Sequence, residues 1–158
     1  MKEFEKQLSR MRRWCALRER CEVETRIHAN NLGFPQENIE KILRHLKSEQ
    51  FLNEERFAKL YAGSKFRYKH WGRQRIIGEL RARQIPEKII QIGLSEIDEK
   101  EYRESVKNLV KHKIEITDPS NELLFKHRLA KSAIGKGYEA DLVHEVIDEL
   151  IKNKKAGQ

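Results

Sequence analysis

Apolar residues recur along this chain at spacings of three and four almost throughout, which is the period of an amphipathic helix. Leu8, Met11 and Cys15, with Trp14 beside them, make a first stripe, and Ile39, Ile42, Leu43 and Leu46 a second. Phe57, Leu60, Tyr61 and Ser64 make a third. It is preceded by Asn53, a good N-cap, with Glu54 and Glu55 placed to favour the positive pole of a helix. Ile76, Ile77 and Leu80 follow, then Ile89, Ile90, Ile92 and Leu94, then Tyr102, Val106, Leu109 and Val110. Leu123, Leu124 and Leu129 precede a last stripe of Leu142, Val143, Val146, Ile147 and Leu150. Ile114-Glu115-Ile116-Thr117 alone looks strand-like. It is too short and isolated to build a sheet and is read as a helix end or connector.

Three prolines mark helix starts. Pro35 and Pro86 each stand just before an apolar-periodic run, where the missing N–H does no harm, and Asp118-Pro119 reads as a third start with Asp118 as N-cap. Gly33 and Gly137 precede Phe34 and Tyr138, as left-handed residues closing one helix before the next. These marks expose a repeat when Phe34, Ile85 and Tyr138 are aligned. Five residues before them lie Ala29, Leu80 and Ala133; five after lie Ile39, Ile90 and Val143; nine after lie Leu43, Leu94 and Ile147. Each period has room for three short helices around one small core. The expectation is an all-α fold, an elongated tandem array of three three-helix repeats spanning 1-51, 52-97 and 98-158.

Composition agrees with helices. Of 158 residues 37% are charged and 38% hydrophobic, with 8 Gly and 3 Pro, too few for a turn-rich β-sandwich. No apolar run approaches the roughly 18 residues of a membrane span, and the N-terminus lacks the apolar core of a signal peptide. Cys15 and Cys21 cannot make a disulfide scaffold; placed six apart on one helix they would face different ways, so reduced thiols and a cytoplasmic protein are expected.

Charge changes the picture more. The chain carries 33 Lys and Arg against 25 Asp and Glu, a net +8. Between Arg56 and Arg83 stand nine basic residues and one acid, Glu79, so the entire excess lies in the middle of the chain. Such a segment attracts a polyanion or an acidic protein surface. A solvated helix face is the plainer alternative.

Catalytic chemistry is not legible. Gly135-Lys136-Gly137 lacks the spacing and hydroxyl of a phosphate-binding loop, and the six histidines show no ligand spacing. Cys15 lies on an apolar stripe and reads as core. No enzyme, cofactor or metal is expected.

Several stretches together resemble one family. Arg20-Cys21-Glu22-Val23-Glu24-Thr25-Arg26 with Gly33-Phe34, Phe51-Leu52-Asn53-Glu54-Glu55-Arg56-Phe57-Ala58 with Tyr61, and Gly72-Arg73-Gln74-Arg75-Ile76-Ile77-Gly78-Glu79-Leu80 with Ile85 are similar, in order and spacing, to the RecX family of RecA regulators. The segment from Leu52 to Leu80 is the most specific. Thr25 departs from the family pattern where an apolar residue is usual, Gln84 where glycine is usual, and the third unit matches by pattern only. The resemblance implies three tandem three-helix repeats in a bacterial cytoplasmic regulator of the RecA–DNA filament. Such a protein would lodge in the filament groove and suppress ATPase, strand-exchange and coprotease activities, or limit filament growth, without catalytic residues of its own.

The expected partners are therefore the RecA filament and, weakly or nonspecifically, the DNA backbone, with no membrane, from a monomer. Candidate contacts are Lys65, Arg67, Lys69, Arg73, Arg75, Arg81 and Arg83, with arginine suited to bidentate contact with phosphate or carboxylate. Tyr68 and Trp71, in the expected loop between helices, offer rings for stacking on a base or anchoring in a protein pocket; Trp71 packing on its own repeat is the alternative. Arg56 reads as a helix-side ion-pair partner of Glu55 or a neighbouring acid. Arg10, Arg12, Arg13, Arg18 and Arg20 make a weaker, partly balanced patch, and the tail from Lys152 to Gln158 a frayed helix end. A nucleic-acid-binding helical module and a scaffold for an acidic protein remain as other functions. A base-reading protein would combine basic residues with Asn or Gln and usually dimerise; the spread of charge over helix, loop and helix favours backbone or protein-surface contact.

Overall fold

The computed structural model describes residues 2–157; Met1 and Gln158, the ends of the N-terminal run and the C-terminal tail, lie outside the described residues. Those residues form nine helices and no strand: α1 (Lys2–Leu17), α2 (Glu22–Asn31), α3 (Gln36–Ser48), α4 (Glu54–Lys69), α5 (Arg73–Ala82), α6 (Glu87–Leu94), α7 (Glu99–Ile116), α8 (Glu122–Gly135) and α9 (Ala140–Ala156). None is long and apolar enough to cross a membrane. The helices follow one another as three triplets, all-α, as the repeat requires.

The repeat is written in the backbone. After α2, the Phe34 N–H donates to the Ala29 carbonyl at 3.2 Å and the Gly33 N–H to Asn30 at 2.9 Å. After α5, Ile85 donates to Leu80 at 3.1 Å and Gln84 to Arg81 at 2.9 Å. After α8, Tyr138 donates to Ala133 at 3.3 Å and Gly137 to Ile134 at 2.9 Å. Each pair is the Schellman closure, which satisfies carbonyls that a helix end leaves open. Its left-handed residue has φ 78° at Gly33, 58° at Gln84 and 103° at Gly137. Gln84, the departure from glycine, therefore keeps the glycine conformation. Thr25 is equally accommodated: it is fully buried, and its hydroxyl donates to the Cys21 carbonyl at 2.7 Å. The third helices then start alike, with Ile39, Ile90 and Val143 donating to the carbonyls of Pro35, Pro86 and Glu139.

Two compact units result, one of Met1–Tyr61 with Leu80–Gly93 and one of Ala62–Glu79 with Leu94–Gln158. In the first, Leu8, Met11 and Cys15 of α1 pack with Ala29, Ile39, Ile42, Leu43, Leu46 and Leu52, as their stripes predict. Gly93 of α6 lets the helix approach Ala58 of α4; a Cβ there would lie 2.8 Å from the Ala58 carbonyl oxygen. Asn53 caps α4, its side chain accepting from the Arg56 N–H at 3.0 Å. In the second unit, the core joins Phe66, Ile76 and Ile97 to Tyr102, Val106 and Val110 of α7, Phe125, Leu129 and Ala133 of α8, and Tyr138, Val143, Val146 and Ile147 near and on α9.

Some expectations are corrected. The buried stripe of α4 is Phe57, Ala58, Ala62 and Phe66, and Leu60 is 52% exposed. On α8 the stripe runs through Phe125, Leu129, Ala130 and Ala133, leaving Leu123 82% exposed. In both helices, small alanines allow close packing on a face where the larger residue type suggested another. Asn121, not Asp118, caps α8, accepting from the Leu124 N–H at 3.0 Å; Asp118 instead closes a local turn with Ser120. Cys15 ends a stripe on α1 whereas Cys21 is the N-cap of α2, so the two do not share a helix; both are buried and free. Ile114–Ile116 is the end of α7, as read.

Candidate polyanion-binding face and adjoining groove

The nine candidates separate according to what each side chain meets. Arg73 turns inward within the second unit. Its guanidinium pairs with Glu139 at 2.9 Å and with Glu99, lies 3.9 Å over the Tyr102 ring, and is only 19% exposed. Its backbone N–H donates to the Tyr102 hydroxyl at 2.9 Å, and that hydroxyl donates to Glu139. Burial, then the bond to Glu139, push the Tyr102 phenol well above the usual tyrosine range. Although desolvation opposes it, pairing with Glu99 and Glu139 raises the Arg73 pKa. Arg73 thus anchors the start of α5 onto α7 and the turn before α9. Arg81 pairs with Glu87 in the first unit. Arg83, also there, lies 4.9 Å over the Tyr61 ring.

The expectation of a wholly uncompensated middle is corrected here. Local sequence offers Glu79 alone, but folding brings Glu87, Glu99 and Glu139 to its cations. The same holds at the N-terminus: Arg12 forms a bidentate pair with Glu49 and Arg18 lies 3.6 Å from Glu24. Arg20 is buried, 3.9 Å over the Trp14 ring, and burial lowers its pKa. Arg56 does pair, with Glu19 rather than Glu55.

Lys65, Arg67, Tyr68, Lys69, Trp71 and Arg75 remain together, on the last turns of α4, the short connection and the first turn of α5. Arg67, Lys69 and Arg75 are exposed and have no acidic partner among the described residues. Lys65 lies 5.0 Å and Arg75 4.3 Å from the Trp71 ring centre. Each such contact contributes on the order of 0.5–1 kcal/mol at an exposed site. The indole therefore holds two cations, one from each helix, which favours the reading of Trp71 as packed on its own fold. Tyr68 lies in α4 rather than in the loop and is 78% exposed. His70, with φ 57°, ends α4 by donating its N–H to the Phe66 carbonyl at 3.1 Å. It is this left-handed residue that turns the chain sharply enough to bring Lys65 and Arg75 to the same ring.

Beside this face lies a groove of about 570 Å³, with Phe66 and Arg67 of α4 and His70 just past its end on one side and a face of α7 on the other. Glu101, Glu104, Leu109 and His112 of α7 line it, and Lys136 closes one end. None of these residues of α7, nor Lys136, is a candidate from sequence. They lie tens of residues from the basic segment, and no local motif singles them out.

The fold and its sites can be set against known proteins. Residues 53–94 match the family described as RecX, second three-helix domain. The chain is 27% identical over 135 residues to the regulatory protein RecX of Clostridium perfringens (strain 13 / Type A), covering 84% of this chain and 63% of that protein, so it spans just under two thirds of that relative's length. With the regulatory protein RecX of Prosthecochloris aestuarii it shares 27% identity over 148 residues, covering 94% and 95% of the two chains. A crystal structure of a regulatory protein RecX shares the fold with a TM-score of 0.83 at 21% identity, covering 92% of this chain and 71% of that one. The RecX crystal structure from Lactobacillus salivarius does so with 0.85 at 17% identity, over 94% and 97%. The match through the second helix triplet, which carries the cationic face, and relatives aligned along most of the chain make this protein homologous to the RecX family.

Proposed function

We propose that this protein regulates the RecA–DNA nucleoprotein filament in the bacterial cytoplasm, mainly by inhibition. It lies against the filament and restrains ATP hydrolysis, strand exchange and coprotease activity, doing no bond chemistry itself. One observation carries the reading: the segment that matches the RecX second three-helix domain, 53–94, also contains Arg67, Lys69 and Arg75, exposed and without acidic partners. Unpaired cations beside a nucleoprotein release counterions from phosphate, so attraction is strong at low salt and falls as salt rises. The test is ATP hydrolysis by RecA on single-stranded DNA with increasing amounts of this protein. Hydrolysis falling as the protein saturates the filament is expected; unchanged hydrolysis at several-fold excess would overturn the reading.

A charge-reversal set at Lys65, Arg67, Lys69 and Arg75 weakens inhibition while a set at Lys152, Lys154 and Lys155 leaves it intact. The same three unpaired cations also favour a second reading, a helical module that binds DNA directly. That reading gains if affinity for bare single strands equals affinity for RecA-coated ones.

A further inference from the structure

The groove beside the cationic face has a chemistry that the face lacks. Residues 101, 104, 105, 108, 109 and 112 of α7 line it, one helix face at i, i+3, i+4, i+7, i+8 and i+11. At 1.5 Å per residue this wall runs for about 16 Å. Its floor is apolar: Phe66 is buried, its ring 5.7 Å from that of Tyr102, and Leu109 is half-buried. Its rim is charged in both senses. Glu101 and Glu104 stand on α7, Arg67 on α4 and Lys136 at the end of α8, and none of the four side chains makes an ion pair among the described residues. On another side of α7 the charges do pair, Arg103 with Glu145 and Glu149 and Lys107 with Glu149.

We infer that this groove takes a segment of protein carrying one large apolar side chain between a basic and an acidic residue. The basic residue meets Glu101 and Glu104, and the acidic one meets Arg67 and Lys136. Phosphate is disfavoured there, because two unpaired carboxylates on one wall repel a polyanion while the apolar floor gives it nothing. A desolvated apolar anchor ringed by polar contacts is, by contrast, how protein interfaces concentrate their affinity. About five extended residues span 16 Å at roughly 3.3 Å each. The inference rests on the proposed function in one respect: the segment belongs to the recombinase protomers of the filament. Arg67 stands where the two surfaces meet; Lys69 and Arg75 of the cationic face then serve nucleic acid, and the groove serves protein.

The experiment compares wild type, the double variant Glu101→Lys/Glu104→Lys and Leu109→Ser, using fluorescence anisotropy on bare labelled single-stranded DNA and on the same strand coated with RecA. Helical circular dichroism and melting temperature check that each variant is folded. The double variant should bind bare DNA more tightly, having lost two carboxylates and gained two cations, yet bind the coated strand at least tenfold more weakly. Leu109→Ser should leave bare-DNA binding unchanged and weaken coated-strand binding at least tenfold. A double variant that gains equally on both strands, or folded variants that keep wild-type affinity for the coated strand, overturns the groove assignment alone. A wild type that gains nothing from RecA on the strand overturns the proposed function and, with it, this occupant.

Discussion

Gly72 and Gly137 meet backbone to backbone: a Cβ on Gly72 would fall 2.2 Å from the Gly137 carbonyl carbon. Around that contact the Gly72 N–H donates to the Lys136 carbonyl at 2.8 Å and the Gln74 N–H to the Gly137 carbonyl at 2.9 Å. With the Arg73 N–H taken by the Tyr102 hydroxyl, three successive donors at the start of α5 are satisfied by the turn before α9 and by α7. Gly72→Ala is therefore expected to cost about 3 kcal/mol, the upper part of the overpacking range, since backbone cannot yield as a side chain does. Thermal denaturation checks it. Gly78→Ala, exposed on α5 with nothing within 4 Å, is the matched control and is expected to stabilise by up to about 1 kcal/mol.

The left-handed helix ends make a second comparison. Gln84 holds φ 58° with a side chain that disfavours it, so Gln84→Gly is expected to stabilise by roughly 0.5–1 kcal/mol after the extra freedom of an unfolded glycine is deducted. Gly33→Ala is strained by its φ alone, whereas Gly137→Ala also drives a Cβ to 2.5 Å from that of Arg75. Urea denaturation should rank the loss at Gly137 above that at Gly33.

Arg73 and Arg75 lie two residues apart and should behave oppositely. Arg73→Ala leaves Glu139 and the Tyr102 ring without their cation and is expected to cost about 2 kcal/mol. Arg75→Ala removes an exposed cation from the Trp71 ring. Stability should change by less than about 0.5 kcal/mol, while the logarithmic salt slope of single-strand binding shrinks by about 0.7. Denaturation and a salt titration of DNA binding, run on both variants, separate the roles.

Burial in the first core pushes the Cys15 thiol up to about 11, and Cys21 is shifted the same way by its own burial. Both are protonated at neutral pH. Reaction with a disulfide reagent at pH 7.5 should be slower than that of free cysteine by on the order of a hundredfold, and should accelerate with urea as the fold opens.

Salt-bridged carboxylates set the acid limb of stability. Hydrogen bonds from Arg12 to Glu49 and from Arg103 to Glu149 hold both carboxyls below the usual glutamate range. A carboxyl depressed in the folded state contributes stability above its unfolded pKa of about 4.3, and this is lost as pH falls through the lower folded value. Urea midpoints should therefore drop on acidification, and Arg103→Ala should flatten part of that drop; these exposed pairs should weaken with salt.

Much of the fold was legible because helical periodicity and helix-end chemistry are local. Aligning Phe34, Ile85 and Tyr138 puts Ala29, Leu80 and Ala133 at one repeat position, and it is their carbonyls that accept the bonds closing α2, α5 and α8. The stripes failed where size misled, at Leu60 and Leu123, because burial follows which face a neighbour covers and not how large the residue is. The candidate site was less legible. A charge count along the chain treats Arg73 and Arg75 as equals, since Glu99 and Glu139 are 26 and 66 residues from Arg73.

Sequence alone thus determined the helices, their threefold repetition, the family resemblance and the concentration of cations in the middle of the chain. Tertiary structure decided which of those cations remain free to meet a partner, and set carboxylates of α7 across a groove from Arg67. The physical reason is that helix and turn preferences act over a few residues, whereas the field at a side chain comes from whatever charges folding brings within a few ångströms.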